Sequence, residues 1–140
     1  MKICGIEIKG SEAILAIVQL DGEKFAHIKV ETKKISLADD ENSVNVKSFC
    51  RLIQEFVRDN GLSNIAIKKR MKKGEYAGGP ITFKIEGLVQ LVENCLVELV
   101  APQTVAAANK NHNFALPASL LKYQSDAFLT ACTLLAKSIK

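Results

Sequence analysis

One acid and one run of cations carry residue types that could do chemistry. Glu7 closes the apolar stretch Lys2-Ile3-Cys4-Gly5-Ile6-Glu7-Ile8-Lys9-Gly10. Ile3, Cys4, Ile6 and Ile8 fill both faces of a strand, as a central strand requires. A carboxylate there is costly unless it has a partner. Two readings stand: a satisfied structural acid near solvent, or a seat in a metal or nucleic-acid site. The cations are Lys68-Lys69-Arg70-Met71-Lys72-Lys73, followed by Gly74, Gly78, Gly79 and Pro80. A solvated loop is one reading of that run. The other is an arm that contacts phosphates through Lys68, Lys69, Arg70, Lys72 and Lys73, joined by Lys137 and Lys140 near the C-terminus. Tyr76 is the one aromatic residue interleaved, so stacking of bases there has little support. The glycines lack both the Gly-Lys-Ser/Thr ending of a phosphate loop and the dinucleotide spacing.

Other chemistries find few residues. Cys4, Cys50, Cys95 and Cys132 lie far apart among apolar neighbours, where a free thiol packs as a small core residue. This implies a reducing, cytoplasmic setting. His27 and His112 have no ligand partner at helical spacing, which argues against zinc. The net charge of +4 is compatible with a polyanionic partner without requiring one. No apolar run is long enough for a bilayer, and no signal-peptide pattern opens the chain, so neither membrane nor export is expected. The 140 residues suit one domain with a real core.

The elements that must position these residues follow in order. A second apolar strand covers 12–20, linked by Gly10-Ser11 as an antiparallel hairpin. Asp21-Gly22 is the strongest turn signal. A third strand spans 24–35, with Phe25, His27, Lys29, Glu31 and Lys33 on a wet face and Ala26, Ile28, Val30 and Thr32 on a buried one. Asn42 or Ser43 caps a helix over 44–59, whose stripe is Val46, Phe49, Cys50, Ile53, Phe56 and Val57. A fourth strand, 64–67, then lies parallel to the first. A helix over 81–94 presents Ile81, Phe83, Ile85, Leu88, Leu91 and Val92. The fifth strand, 96–100, extends the parallel part. A short helix covers 103–108, a polar loop 110–113, and the last helix 118–138. The stripe of that last helix is Leu121, Phe128, Ala131, Cys132, Leu135 and Ile139. Asp126 stands off it, with Thr130, Thr133 and Lys137 on its side.

This order resembles the ribonuclease H-like fold in its RuvC-resolvase branch. That is an α/β domain over residues 1–140 with a five-stranded mixed sheet, three strands antiparallel and then two parallel, and helices on both faces. Gly5-Ile6-Glu7-Ile8-Lys9-Gly10 resembles the branch's first strand, Gly-Ile-Asp-Pro-Gly, with Glu for Asp. Ile65-Ala66-Ile67-Lys68, and later Val97-Glu98-Leu99-Val100-Ala101-Pro102-Gln103-Thr104-Val105, resemble the region from the catalytic Glu strand to the strand before its short helix. Ser125-Asp126-Ala127-Phe128-Leu129-Thr130-Ala131-Cys132 resembles the final helix, where the branch has Asp-Ala-x-x-x-Ala. The chain also resembles small uncharacterised bacterial proteins that carry only an unknown-function family label.

The resemblance implies four acids holding two magnesium ions. Glu7 matches the first acid and Asp126 the last. Lys68 stands at the second position and Tyr123 at the third, one helical turn before Asp126. Two acids and a lysine offer a charge of about −1 against about +4 for a magnesium pair. Lys68 is therefore expected to take the lost metal's place, paired with Glu7 and Asp126 in a closed site. If Lys68 points outward instead, Glu7 and Asp126 remain free for one weakly held magnesium ion. The expected function is non-catalytic binding of nucleic acid through 68–73. The alternatives are a structural or interaction protein, a homodimer for example, and a residual magnesium-dependent nuclease.

Overall fold

The computed structural model describes residues 1–74 and 77–139. Tyr76 and Lys140 lie outside the described residues. The elements are β1 (Lys2–Lys9), β2 (Glu12–Asp21), β3 (Lys24–Ile28), β4 (Lys34–Ser36), α1 (Ser43–Asp59), β5 (Asn64–Lys68), α2 (Pro80–Gln90), β6 (Leu96–Val100), α3 (Pro102–His112) and α4 (Ser125–Lys137). The sheet order is β3-β2-β1-β5-β6, with β4 also pairing β2. β1, β2 and β3 run antiparallel in turn; β1, β5 and β6 are parallel. This is the α/β, ribonuclease H-like arrangement.

Because β1, β2 and β5 are covered on both sides, each is apolar in both pleat directions. On one side Cys4, Ile6, Ile8, Leu15, Ile17, Ile65 and Ile67 meet Phe49, Ile53 and Phe56 of α1 and Ile85 and Val89 of α2. On the other, Ile3, Ile14, Ala16, Val18 and Ala66 meet Val105 of α3 and Phe128, Ala131, Cys132 and Leu135 of α4. Each fully buried Val, Leu, Ile or Phe among them stabilises the fold by about 1.5–3 kcal/mol relative to exposure. Asn42 caps α1, its Oδ1 accepting from Val44 N–H at 2.9 Å.

Several elements differ from expectation. The third strand is broken: β3 ends at Ile28, and the chain returns as β4 against the far half of β2, Glu12 opposite Ser36. β2 is ten residues long, and its outer side is shared between the two segments. Phe25 and His27 do not form a wet face. Both are half-buried, because α3 and α4 cover that side of the sheet. α2 stops at Gln90 and buries Thr82, Ile85, Glu86 and Val89, leaving Ile81 and Leu91 exposed. α3 runs on to His112, where Asn113 ends it in the left-handed conformation. The last helix begins only at Ser125, after a single 3-10 turn at Lys122–Gln124. The buried Gln124 side chain sets that turn. Its Nε2 donates to Leu15 C=O at 2.8 Å, and its Oε1 accepts from Leu121 N–H at 3.0 Å. Leu121 consequently lies outside the core, and Ile139, beyond the end of α4 at Lys137, is exposed as well. Thr130 and Thr133 are buried, contrary to an outer face, and their hydroxyls donate to Asp126 C=O and Leu129 C=O, both at 2.7 Å. Among the described residues no helix is long and apolar enough to cross a membrane.

Candidate functional site

The pleat of β1 decides where Glu7 points. Cys4, Ile6 and Ile8 face α1 and α2, so Ile3, Gly5 and Glu7 face α4. β5 repeats the pattern: Ala66 pairs with Gly5 and packs in the α4 core, so Lys68, two residues on, shares that side. Both strands end here. The site lies beyond the carboxyl ends of parallel strands, where open α/β sheets place their sites.

Gly5 brings the helix in. A Cβ on Gly5 would sit 1.8 Å from the Ala127 carbonyl oxygen and 3.0 Å from Ala131 Cβ. Only glycine lets α4 lie this close to β1. That close approach fixes the first turn of α4 over the strand and sets Asp126 beside Glu7. The helix N-terminus also favours the Asp126 carboxylate.

The two acids and the lysine thus converge. Lys68 Nζ donates to Asp126 Oδ2 at 3.2 Å, with the lysine side chain 23% exposed. Glu7 and Asp126 lie close enough that each carboxyl shifts the other's titration. Burial first, then the hydrogen bond to Asp126 and its charge, push Glu7 up to about 7, while Lys68 and Lys9 pull the other way. For Asp126, burial pushes upward, but the hydrogen bond with Glu7 and the Lys68 ammonium outweigh it and hold the carboxyl below its ordinary value. Glu7 is therefore shifted toward its protonated form and Asp126 toward its ionised form.

Lys9, Lys122, Tyr123 and Ser125 line the same cleft, of about 410 Å³, with Glu7 and Asp126. Tyr123 also lies under Lys34, whose Nζ is 4.8 Å from the ring centroid. Lys9, Lys68 and Lys122 set three ammonium groups against two carboxyls, so the site is net positive whether or not Glu7 holds its proton. The residues do not fit the paired magnesium ions that the fold implies. An ammonium already holds Asp126, Glu7 favours its protonated form, and no group of three or more His, Cys, Asp or Glu that could hold a metal lies among the described residues.

The basic run divides. Lys68 faces the acids. Lys69 N–H donates to Val100 C=O at 2.9 Å, prolonging the β5–β6 ladder. Arg70 turns inward: its backbone N–H donates to the buried Glu86 Oε2 at 3.3 Å, and its Nε is buried between Gly78 and Thr82. A Cβ on Gly78 would meet Thr82 Oγ1 at 2.6 Å and Arg70 Nε at 2.9 Å, so a larger residue there would have to displace one of those side chains. Lys69, Lys72 and Lys73 remain exposed. A cleft of about 550 Å³ lies between the 68–74 segment and Pro102, Gln103 and Ala106 of α3. Lys137 sits at the other end of α4, eleven residues or about 16 Å from Asp126, and does not join this surface.

Gly5, Lys9, Lys122 and Gln124 carry parts of the site that sequence reasoning did not single out. A glycine inside an otherwise apolar strand is the signal that could have flagged Gly5. Lys9, two residues after Glu7 in β1, shares its face by the strand period; Lys122 had no signal, because only the tertiary fold brings it to the acids.

The whole chain superposes on solved resolvases. Thermus thermophilus RuvC matches with a TM-score of 0.77 at 15% identity, over 99% of this chain and 95% of that one. The same organism's RuvC in complex with Holliday junction substrate matches at 0.69 and 16% identity, over 99% and 96%. Fowlpox virus resolvase with substrate Holliday junction DNA matches at 0.60 and 16% identity, over 100% of both chains. At such identities the likeness establishes the fold. No curated protein matches the chain. Residues 1–134 match a family described as protein of unknown function (DUF3010), and the chain belongs to that family.

Proposed function

We propose that this chain, as one ribonuclease H-like domain over 1–140, binds nucleic acid without cutting it. The observation that carries the reading is the position of Lys68. Its ammonium lies 3.2 Å from Asp126, in the acid cluster where a resolvase would hold metal. A cation fixed on the chain supplies positive charge but cannot activate a metal-bound water. Glu7 and Asp126 then serve to seat Lys68 rather than to catalyse. The surrounding Lys9, Lys122, Lys69, Lys72 and Lys73 leave the neighbourhood positive, which suits phosphates. Related folds have been solved with Holliday junction DNA, which supports nucleic acid as the ligand class. The four unpaired cysteines fit a reducing, cytoplasmic setting.

The test is fluorescence anisotropy with labelled junction, duplex and single-stranded probes across a salt series, with and without magnesium. The expected result is affinity that falls steeply with salt and probes that stay intact. Absent or salt-insensitive binding to all three probes overturns the binding half. Magnesium-dependent cleavage lost in Asp126→Asn overturns the non-catalytic half.

A further inference from the structure

We propose that the cleft between the 68–74 segment and α3 seats one unpaired nucleotide of a nucleic-acid strand, with its phosphate on the lysines and its base on Met71. The seat presupposes that the chain binds nucleic acid, and adds which part of the strand is held. It lies beyond the carboxyl ends of β5 and β6, and both of its walls spring from there. Lys68 and Val100, the last residues of these parallel strands, are paired. Lys69 N–H donates to Val100 C=O at 2.9 Å and carries the first wall one residue further. Pro102, two residues past β6, opens α3 and the second wall. The first wall is tied down. Arg70 N–H donates to Glu86 Oε2 at 3.3 Å, and Met71 C=O accepts from Gly78 N–H at 2.8 Å.

The lining carries two kinds of surface. Lys68, Lys69, Arg70 and Lys73 are its cations, and among the described residues no acid lines it. Lys69 and Lys73 are exposed, so their ammonium groups can turn to a ligand, while Asp126 holds Lys68 at the inner end. Four cations around one concave space of about 550 Å³ select an anion, and a space of that size suits a ligand no larger than a nucleotide or a small molecule. Between the cations lie Met71, Pro102 and Ala106, which are apolar. Met71 keeps 37% of its surface exposed.

The apolar part separates an unpaired nucleotide from a paired one. A double helix keeps its bases stacked inside and presents sugar and phosphate to a wall of this kind, which leaves Met71, Pro102 and Ala106 with nothing to cover them. An unpaired nucleotide presents a phosphate and a base face together. No aromatic residue lines the cleft among the described residues, so the polarisable thioether of Met71 is the surface that meets the ring. Every base has such a face, and the seat therefore tolerates any sequence.

Fluorescence anisotropy of the full chain tests the seat with a short oligothymidylate and an abasic strand of the same length and charge. At equal salt, wild type should bind the oligothymidylate about fivefold or more tightly than the abasic strand. Met71→Ser should bring the oligothymidylate down to the affinity of the abasic strand. Gln103→Glu sets an acid in the second wall, where the helix N-terminus favours it, and should weaken both strands about fivefold. Both side chains are exposed, so melting temperatures should stay at or above the wild-type value. Equal, salt-dependent binding of the two strands by wild type overturns the seat and leaves nucleic-acid binding standing. A preference that survives Met71→Ser, or binding indifferent to Gln103→Glu, puts the nucleotide outside the cleft and overturns the seat as well. No binding of either strand overturns both.

Discussion

Replacing Glu7 by glutamine should stabilise this protein at alkaline pH and do nothing at acidic pH. Glu7 ordinarily titrates at 4.5; in the fold it is pushed up to about 7, first by burial and then by Asp126. Between those values the folded chain holds a proton that the unfolded chain has lost. Stability from this group is therefore greatest below 4.5, declines as pH rises to about 7, and is lowest beyond it. The gap corresponds to roughly 3 kcal/mol at 1.36 kcal/mol per pKa unit. Glu7 is only half-buried, and solvent screening reduces the cost to about 1.5 kcal/mol. Glutamine copies the protonated acid and can still donate to Asp126, so it never incurs that cost. Urea unfolding of wild type and Glu7→Gln at pH 5, 6, 7 and 8 reads the difference. We expect a Glu7→Gln advantage of only about 0.4 kcal/mol at pH 5, rising to about 1.5 kcal/mol at pH 8, or roughly 4 °C in melting temperature. His27, held below its ordinary value by burial and by Lys33 and Lys29, changes stability in the opposite direction below pH 6.5. It does so in both proteins and cancels in the comparison. A variant less stable than wild type at pH 8, or an offset that ignores pH, would refute the assignment of the proton to Glu7.

Other perturbations probe the remaining parts of the site. Gly5→Ala drives a methyl group into the Ala127 carbonyl, a backbone atom that no rotamer change can move, and should cost about 3–5 kcal/mol in urea unfolding; a loss under about 1 kcal/mol would show that α4 does not need the close approach. Lys68→Met removes the ammonium and leaves two carboxyls side by side, so magnesium at about 10 mM should raise the melting temperature of the variant and leave wild type unmoved. Equal responses in the two proteins would mean that Lys68 does not fill the metal's place. The triple variant Lys69→Ala/Lys72→Ala/Lys73→Ala should lower the log–log salt slope of duplex binding by about 2–3, close to one for each phosphate that is no longer neutralised. An unchanged slope would move the binding surface away from this segment.

Sequence alone carried the plan of the sheet. The apolar runs of β1, β2 and β5 alternate too little for edge strands, and strands buried on both faces force helices onto both sides. Gly22 served the β2–β3 hairpin: with Asp21 paired to Lys24, the two-residue turn is Gly22-Glu23, and its first position has a φ of 64° that glycine accepts freely. Glu7 stood out for a similar reason: a charge in an apolar strand has to be answered by something. What answers it was written in separate parts of the chain. Asp126 is 119 positions away, and its neighbours Thr130 and Thr133 read as an outer face when in fact they are buried. The 118–138 stretch has helical periodicity throughout, and only the long-range bond from Gln124 to Leu15 C=O sets the start of α4 at Ser125. The basic run looked uniform, yet strand register turned Lys68 toward the acids, and just past β5 the Arg70 backbone N–H bonds Glu86 while its Nε is buried near Gly78; Lys69, Lys72 and Lys73 stayed in solvent. Local periodicity can say which side of an element is apolar. Which charge meets which is decided by how elements distant in sequence pack, here by the missing side chain of Gly5 under α4.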